Sequence, residues 1–291
     1  MRYRFIREQH DWHSVKVLCR AMKVSRSGYY EWMRRKPSDR VLDDARLWPK
    51  IERLHYQRRE AYGAVRLAKD LREQGEGCSR HRVARLKRVN QLWTQRHRRF
   101  VLTTKANPGH VRFENRLDRQ FSTDKPNRIW VADVTSVWTF EGWLYLAAVL
   151  DLYSRKLIGW SMGPNCKDEL TAAALEMAIE RRRPKRGVLH HTDRGSHYTS
   201  TRYQAILQRQ GMECSMSRIA NCYDNAVAES FFSSLKNELT LHRRYRTRNE
   251  ARSEIFEYVE LFYNPVRRHS HLGWVSPIQF EKGNARLTTC P

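Results

Sequence analysis

Three acids in this chain, Asp133, Asp193 and Glu229, each lie at an apolar segment. Asp133 lies inside Ile129-Trp130-Val131-Ala132-Asp133-Val134-Thr135. Asp193 closes Val188-Leu189-His190-His191-Thr192-Asp193, just ahead of Arg194-Gly195. Glu229 lies in Asn225-Ala226-Val227-Ala228-Glu229-Ser230-Phe231-Phe232, with 35 residues between it and Asp193. Three carboxylates converging in a fold repel each other, and a divalent metal pair relieves that repulsion. Two metals so held activate an attacking oxygen and stabilise a leaving oxygen in phosphoryl transfer. Hard oxygen donors suit Mg²⁺, with Mn²⁺ as its substitute.

Taken singly, each acid has a plainer explanation. Asp133 is as readily an edge-strand charge or an arginine partner, Asp193 an ordinary turn residue, and Glu229 a helix surface position. Their conjunction on a first strand, a fourth strand and a last helix favours a metal triad. Asn225 and Lys236 lie four residues before and seven after Glu229, on roughly the same helix face. With Arg194, they are candidate DNA contacts. Asp224 suits a helix N-cap better than a ligand. Asp151, with Arg155 nearby, suits a turn or a salt bridge. His190, His191 and His197 lie near Asp193, but imidazole is a poorer donor than carboxylate for Mg²⁺.

The charge balance names the phosphate. Among 291 residues, Lys and Arg total 55 and Asp and Glu total 31, a net charge of +24. Such an excess indicates a polyanionic partner. Residues 1–120 carry 31 basic and 13 acidic side chains, and residues 121–291 carry 24 and 18. The front reads as a nucleic-acid clamp and the rear as a charge-balanced domain around a guarded site. No targeting segment is read at Met1, and no apolar run approaches the ~18 residues of a membrane span. The six cysteines form no Cys-x-x-Cys pair, which fits reduced thiols in a cytoplasm. His10 and His13 precede Cys19 without a second cysteine pair, so no structural zinc is expected.

The elements that position these residues follow from periodicity. Residues 1–36 read as an N-terminal helical segment, with two short helices over 12–33 and Ser25 or Ser27 as a cap. Ser38 or Asp39 starts a third helix running to about Arg59, with a kink expected at Pro49. Residues 37–105 read as a basic DNA-binding domain, with a helix-turn-helix over 64–91 turning at Gly75-Glu76-Gly77. The outer face of its second helix presents Arg80, Arg82, Arg85, Lys87 and Arg88 as DNA contacts. A solvated basic helix is the plain alternative. Residues 106–124 read as a linker, 125–280 as the catalytic core and 281–291 as a C-terminal tail. Within the core the order is strand, strand, strand, helix, strand, helix, strand, helix. That is a mixed sheet with helices on its faces, the order of the ribonuclease H-like fold.

These residues carry a resemblance. The chain resembles the catalytic second-frame (OrfB-type) transposases of the IS-three insertion-sequence family, which are DDE enzymes of retroviral-integrase type. The matching stretches are Leu18-Cys19-Arg20 with Val24-Ser25-Arg26-Ser27-Gly28-Tyr29-Tyr30, then Tyr62-Gly63, then Trp130 to Thr135. They continue with Asp151-Leu152-Tyr153-Ser154-Arg155 and Gly159-Trp160, His191 to Ser196, and Asp224-Asn225-Ala226 with Glu229 to Phe232 and Leu235-Lys236. Tyr263-Asn264, Arg268-His269-Ser270, Leu272-Gly273 and Ser276-Pro277 complete them. Val65 departs from the pattern, standing where an arginine is usual.

The resemblance implies a DDE triad at Asp133, Asp193 and Glu229, with Lys236 at the family's basic position beyond the glutamate. It implies metal-dependent cleavage and strand transfer on double-stranded DNA, at terminal inverted repeats and target. It also implies an upstream-frame (OrfA) partner, a homo-oligomer on DNA, and a bacterial cytoplasmic, nucleoid-associated place of work. A ribonuclease H-like nuclease or phage-type integrase is the rival enzyme. A DNA-binding regulator that lost catalysis is the rival outside enzymes.

Overall fold

The computed structural model describes residues 1–94, 113–218 and 222–288. Helices α1 (Arg2–Gln9), α2 (Val15–Ala21) and α3 (Arg26–Arg34) form a small unit. Its separate core is Ile6, Leu18, Cys19 and Tyr29. Next come α4 (Asp39–Gln57), α5 (Ala64–Glu73) and α6 (Arg80–Val89). Helix α4 runs through Pro49 without a break in its helical span. Gly75, in the turn between α5 and α6, takes a φ of +81°, a conformation that suits glycine.

The core sheet holds β1 (Ile129–Thr139), β2 (Gly142–Asp151), β3 (Leu157–Gly163), β4 (Leu189–Thr192) and β5 (Glu213–Met216). Their order is β3-β2-β1-β4-β5, antiparallel among the first three and parallel from β1 to β5. This is the ribonuclease H-like arrangement expected from the element order. Helices α7 (Asp168–Arg182) and α8 (Thr201–Gln210) contribute side chains to the core on one face. Helices α9 (Ala226–Glu238) and α10 (Arg248–Glu257) contribute to the core on the other, with a π-helix at Tyr258–Tyr263. Helix α11 (Pro277–Thr288) follows.

The alternation of β1 explains where Asp133 points. Trp130 and Ala132 belong to the α7–α8 core, while Val131 and Val137 belong to the α9–α10 core. Successive side chains alternate faces, so Asp133 shares the α9 side with Val131 and Val137. Its register partner on β2 is Ala148, whose small side chain leaves room. Gly159 on β3 lets α7 approach closely. A Cβ there would lie 2.2 Å from the Ala174 carbonyl oxygen, so backbone would have to move.

Two segments that flank the core make contacts with it. Residues 106–112 of the proposed linker lie outside the described residues, but its remainder is fastened to the core. Leu117 is buried, Asn115 Nδ2 donates to Asp224 at 2.8 Å, and Arg116 pairs with Glu213 at 2.8 Å. These side chains find partners only through the tertiary fold, which local composition does not encode. The proposed tail, 281–291, begins inside α11. Glu281 there pairs with Arg182 and Lys156 of the core.

The front helices and the catalytic sheet also share one apolar cluster. It runs from Leu47, Ile51 and Leu54 through Tyr62 and Leu67 to Leu235, Tyr258 and Phe262. The Tyr62 hydroxyl donates to the Val266 carbonyl at 3.1 Å and accepts from the Arg268 amide at 2.8 Å. Asp70, nearly fully buried on α5, is held by Arg58 at 2.6 Å and by Arg268. Among the described residues no helix is long and apolar enough to cross a membrane.

Candidate active site

Helix α9 delivers Glu229. Ala228, Phe231, Phe232 and Leu235 are buried at positions i, i+3, i+4 and i+7, a stripe turned to the sheet. Each large member contributes about 1.5–3 kcal/mol by burial, and truncating a phenylalanine costs about 3–5 kcal/mol. Glu229 and Lys236 flank that stripe, both partly buried. At the start of the helix, Asn225 Nδ2 donates to the Ala132 carbonyl at 3.2 Å. That bond fixes the N-terminus of α9 beside the strand residue preceding Asp133.

Strand β4 delivers Asp193, and two buried histidines pin the strand. His190 Nε2 lies 2.7 Å from the Tyr203 hydroxyl, and His191 bridges Ser215 and Ser217 at 2.9 and 3.1 Å. Burial pushes their pKa values down to about 3 and about 4. They are neutral, hydrogen-bonded parts of the core. Just past β4, Asp193 Oδ1 accepts from the Gly195 amide at 2.9 Å. A Cβ on Gly195 would lie 2.5 Å from the His197 ring and 3.0 Å from Asp193 Oδ1. Glycine there lets the imidazole pack against the turn.

Electrostatics joins the three acids. The Asp133 carboxyl is held well above the usual carboxylate range, first by burial, then by Asp193, with Glu229 adding to the same direction. The Val134 amide, donating at 2.8 Å, and the charge of Lys236 oppose this without overcoming it. Burial also raises Glu229. Lys236 is lowered by burial and raised by Asp133.

Other deeply buried acids have arginine partners. Asp151 meets Arg182 at 2.6 Å, and Asp224 meets Arg119 at 3.2 Å and Arg218 at 3.4 Å. Among the described residues, Asp133, Asp193 and Glu229 have no ion pair.

Among the described residues, no group of three His, Cys, Asp or Glu side chains is gathered tightly enough to hold a metal ion. Uncompensated carboxylates repel. Asp133 and Asp193 each spend an oxygen on a backbone N–H instead.

Several flanking assignments also change. Asn225 is buried and bonded to backbone, which holds the start of α9 against β1. Arg194 Nε donates to the Ser217 carbonyl at 2.7 Å, bracing the chain after β5. Asp224 is an anchor for Arg119, Arg218 and Asn115, and Asn225 occupies the N-cap position. Asp151 does make a salt bridge, but with Arg182 rather than Arg155. Tyr198 was missed. Its hydroxyl is buried without a protein partner, and its pKa is raised first by burial, then by Tyr203, with Asp133 and Asp193 adding to the same direction. The signal was an aromatic hydroxyl five residues beyond Asp193.

The basic face of α6 is only partly free. Arg82 pairs with Asp43 at 2.7 Å and Asp44 at 2.8 Å, and Arg85 pairs with Asp44 at 2.5 Å. Lys87 is buried, 3.2 Å from His55 Nδ1 and 3.0 Å from the Thr94 hydroxyl. Lys87 was assigned to DNA, but the α4 packing turns it inward. Arg80 and Arg88 remain exposed.

Comparison with known proteins gives concordant results. The integrase core domain family matches residues 123–222 and a second integrase core domain family matches 229–284. An HTH-like domain family matches 42–100. The chain is 41% identical to the transposase InsF of insertion sequence IS3A from Escherichia coli K12, over 98% of this chain and 99% of that one. It is 45% identical to a 31 kDa protein of insertion element IS600 from Shigella sonnei, over 91% and 97%. Among solved structures, the HTLV-2 integrase catalytic core domain in complex with magnesium is similar over 53% of this chain and 96% of that one. The identity is 18% and the TM-score 0.42.

Proposed function

The chain belongs to the insertion-sequence transposases of the IS3 type, and from that premise we propose that Asp133, Asp193 and Glu229 are its DDE catalytic triad. It is a DNA transposase, a polynucleotidyl transferase that cuts and joins phosphodiesters at the ends of an insertion sequence. What supports the triad most is the state of Asp133. It is a carboxyl held against two other acids with no ion pair of its own and only the charge of Lys236 to oppose them, in a protein whose other deeply buried acids are paired with arginine.

The chemistry of the three carboxylates suits divalent cations, Mg²⁺ first and Mn²⁺ as substitute, and binding would draw the side chains together. Asp133, Asp193 and Glu229 would hold them through oxygen. When bound, the metals supply the charge that activates the attacking oxygen and steadies the leaving oxygen. The residues of this chain do the rest. Asn225 and the buried stripe of α9 fix where Glu229 can reach. His191 and Arg194 brace the two ends of the β4–Asp193 turn. Lys236 offers a positive charge beside the acids that a DNA phosphate can use. In the first step water attacks the phosphodiester at the element's end and the 3′-oxygen leaves as a hydroxyl. In the second, that hydroxyl attacks a target phosphodiester in line, and the target's own 3′-oxygen leaves.

An upstream-frame protein is the proposed partner, supplied in trans or fused by frameshift, and a homo-oligomer on DNA is the proposed working form. The test is a labelled duplex carrying the element's end, incubated with the full chain and Mg²⁺ or Mn²⁺, with and without the upstream protein. Cleavage and joining are expected, and Asp133→Asn, Asp193→Asn and Glu229→Gln are each expected to abolish both while DNA binding persists. Cleavage without joining would favour the nuclease reading. Near-normal activity in any one amide variant would remove that residue from the triad.

A further inference from the structure

The first thirty-six residues carry ten basic and three acidic side chains. Among the described residues none of those ten bases is in an ion pair with a carboxylate, in contrast to Arg82 and Arg85 on α6. Helices α2 and α3 are joined by Met22–Ser25 alone. Lys23 in that turn takes a φ of +54°, reversing the chain within one residue. The Val24 amide donates to the Cys19 carbonyl at 3.0 Å, and Ser25 caps α3 by accepting from the Gly28 amide at 3.0 Å.

Side chains then lock the second helix against the first. Leu18, Cys19 and Tyr29 are buried with Ile6 of α1, and Met22, Val24 and Trp32 pack around them. The small Cys19 and the turn residue Val24 sit where two helices joined by a tight turn must meet. Helix α1 closes the third side. A Cβ on Gly28 would lie 2.6 Å from the Tyr3 hydroxyl, so glycine lets α1 lie against α3. The opposite face of α3 is open. Arg26, Ser27, Tyr30 and Arg34 are exposed, and Tyr30 is 48% exposed.

We propose that α1–α3 is a second helix-turn-helix unit, and that Arg26, Ser27 and Tyr30 on α3 read base edges in the major groove of duplex DNA. The inference rests on the reading of the chain as a transposase that acts on duplex DNA. A three-helix unit with a short turn presents the N-terminal residues of its second motif helix to the groove. Arg26 has the fork that matches guanine, and Ser27 and the Tyr30 hydroxyl are short polar reaches beside it. Lys16, Arg20 and Lys23, all exposed on α2 and the turn, supply phosphate contacts that set orientation. The unit has a core separate from that of α4–α6, so its groove-facing helix is additional to α6.

The test selects binding sites from a random-sequence duplex pool with the full chain, wild type and Arg26→Ala/Tyr30→Ala. Both positions are exposed, so the variant is expected to keep the wild-type thermal midpoint. The wild type is expected to select a site with two separated blocks of constrained base pairs. The variant is expected to lose one block and to bind the wild-type site roughly tenfold or more weakly. Arg26→Lys keeps the charge but not the fork, and should relax the same block while retaining the salt dependence of binding. An unchanged selected site overturns the proposal. So does a uniform loss of affinity with both blocks retained, because α3 would then hold only the backbone. A wild-type chain that selects no site and joins no ends overturns the transposase reading beneath it as well.

Discussion

Arg267 grips Glu238 with two nitrogens, Nε at 2.8 Å from Oε2 and Nη2 at 2.6 Å from Oε1, both side chains almost fully buried. Glu238 lies on α9 about two and a half turns beyond Glu229. The same carboxylate accepts from the Tyr258 hydroxyl at 2.8 Å and has Arg66 of α5 at 3.5 Å. The helix that carries Glu229, the proposed catalytic glutamate, is therefore anchored both to the π-helix region and to the front domain.

Removing one partner of this pair should be costly. Glu238→Ala leaves Arg267 buried and uncompensated, and a loss of about 3–5 kcal/mol is expected. The exposed pair Arg116–Glu213 should cost under ~1 kcal/mol when broken. Urea unfolding of both variants decides it. Equal small losses would mean that α9 does not depend on this anchor.

The DNA contribution of α6 should divide by exposure, not by charge type. Arg80→Ala/Arg88→Ala should weaken duplex binding and flatten its salt dependence. Lys87→Met should leave binding intact, because the ammonium is enclosed. Arg82→Ala and Arg85→Ala should act mainly on stability through Asp43 and Asp44. Salt titrations of anisotropy on each variant separate these cases. A large binding loss in Lys87→Met would show that α6 turns outward on DNA.

Stability should depend on pH through His55 and Lys87. Burial, with the Lys87 charge, pushes His55 down to about 4, and burial pushes Lys87 down to about 8. Both folded pKa values lie below their unfolded ones, near ~6.5 and ~10.4. Each therefore contributes stability that is present above its unfolded value and lost as pH falls through its folded one. The thermal midpoint should fall between pH ~6.5 and ~4, and again from ~10.4 to ~8. Lys87→Met should remove the upper slope and move the lower one to higher pH, since His55 loses a repelling neighbour. A variant whose two slopes match the wild type would contradict this.

Lys236 should serve DNA more than metal. Its charge acts on Asp133 across from its own helix. Lys236→Ala should reduce end processing and retention of the element's tip, with Lys236→Arg recovering much of the loss. The midpoint of a metal titration of cleavage should barely move. A large shift in that midpoint at unchanged DNA affinity would put Lys236 in the service of the metals.

The catalytic half was legible because its pattern is strong and local. The nearly unbroken apolar run Trp143–Leu150 suits a buried strand, and β2 spans it with only Trp143 exposed at its start. The three candidate acids stand out in the sequence because each lies at an apolar segment. The front surface was not legible. The partners of Arg82 and Arg85 lie about forty residues upstream on α4, and no periodicity reports a contact at that separation. The π-helix and α10 were missed because their burial depends on packing against β1, β2 and α9. Asn225 misled for a related reason. Its spacing to Glu229 is that of a shared helix face, but it sits outside the helix and turns back to β1.

The apolar cluster that runs from Leu47 to Phe262 sets what a shortened gene product can do. A chain ending before β1 would leave Tyr62, Leu67 and Asp70 without Val266, Phe262 and Arg268 to cover them. Such a fragment keeps its positive charge but not its cover, and proteases act on chains that cannot stay closed. An insertion sequence that relies on this fold therefore does not obtain a durable inhibitor of its own mobility by truncation here. Restraint on copy number must act elsewhere, on how much of the whole chain is made.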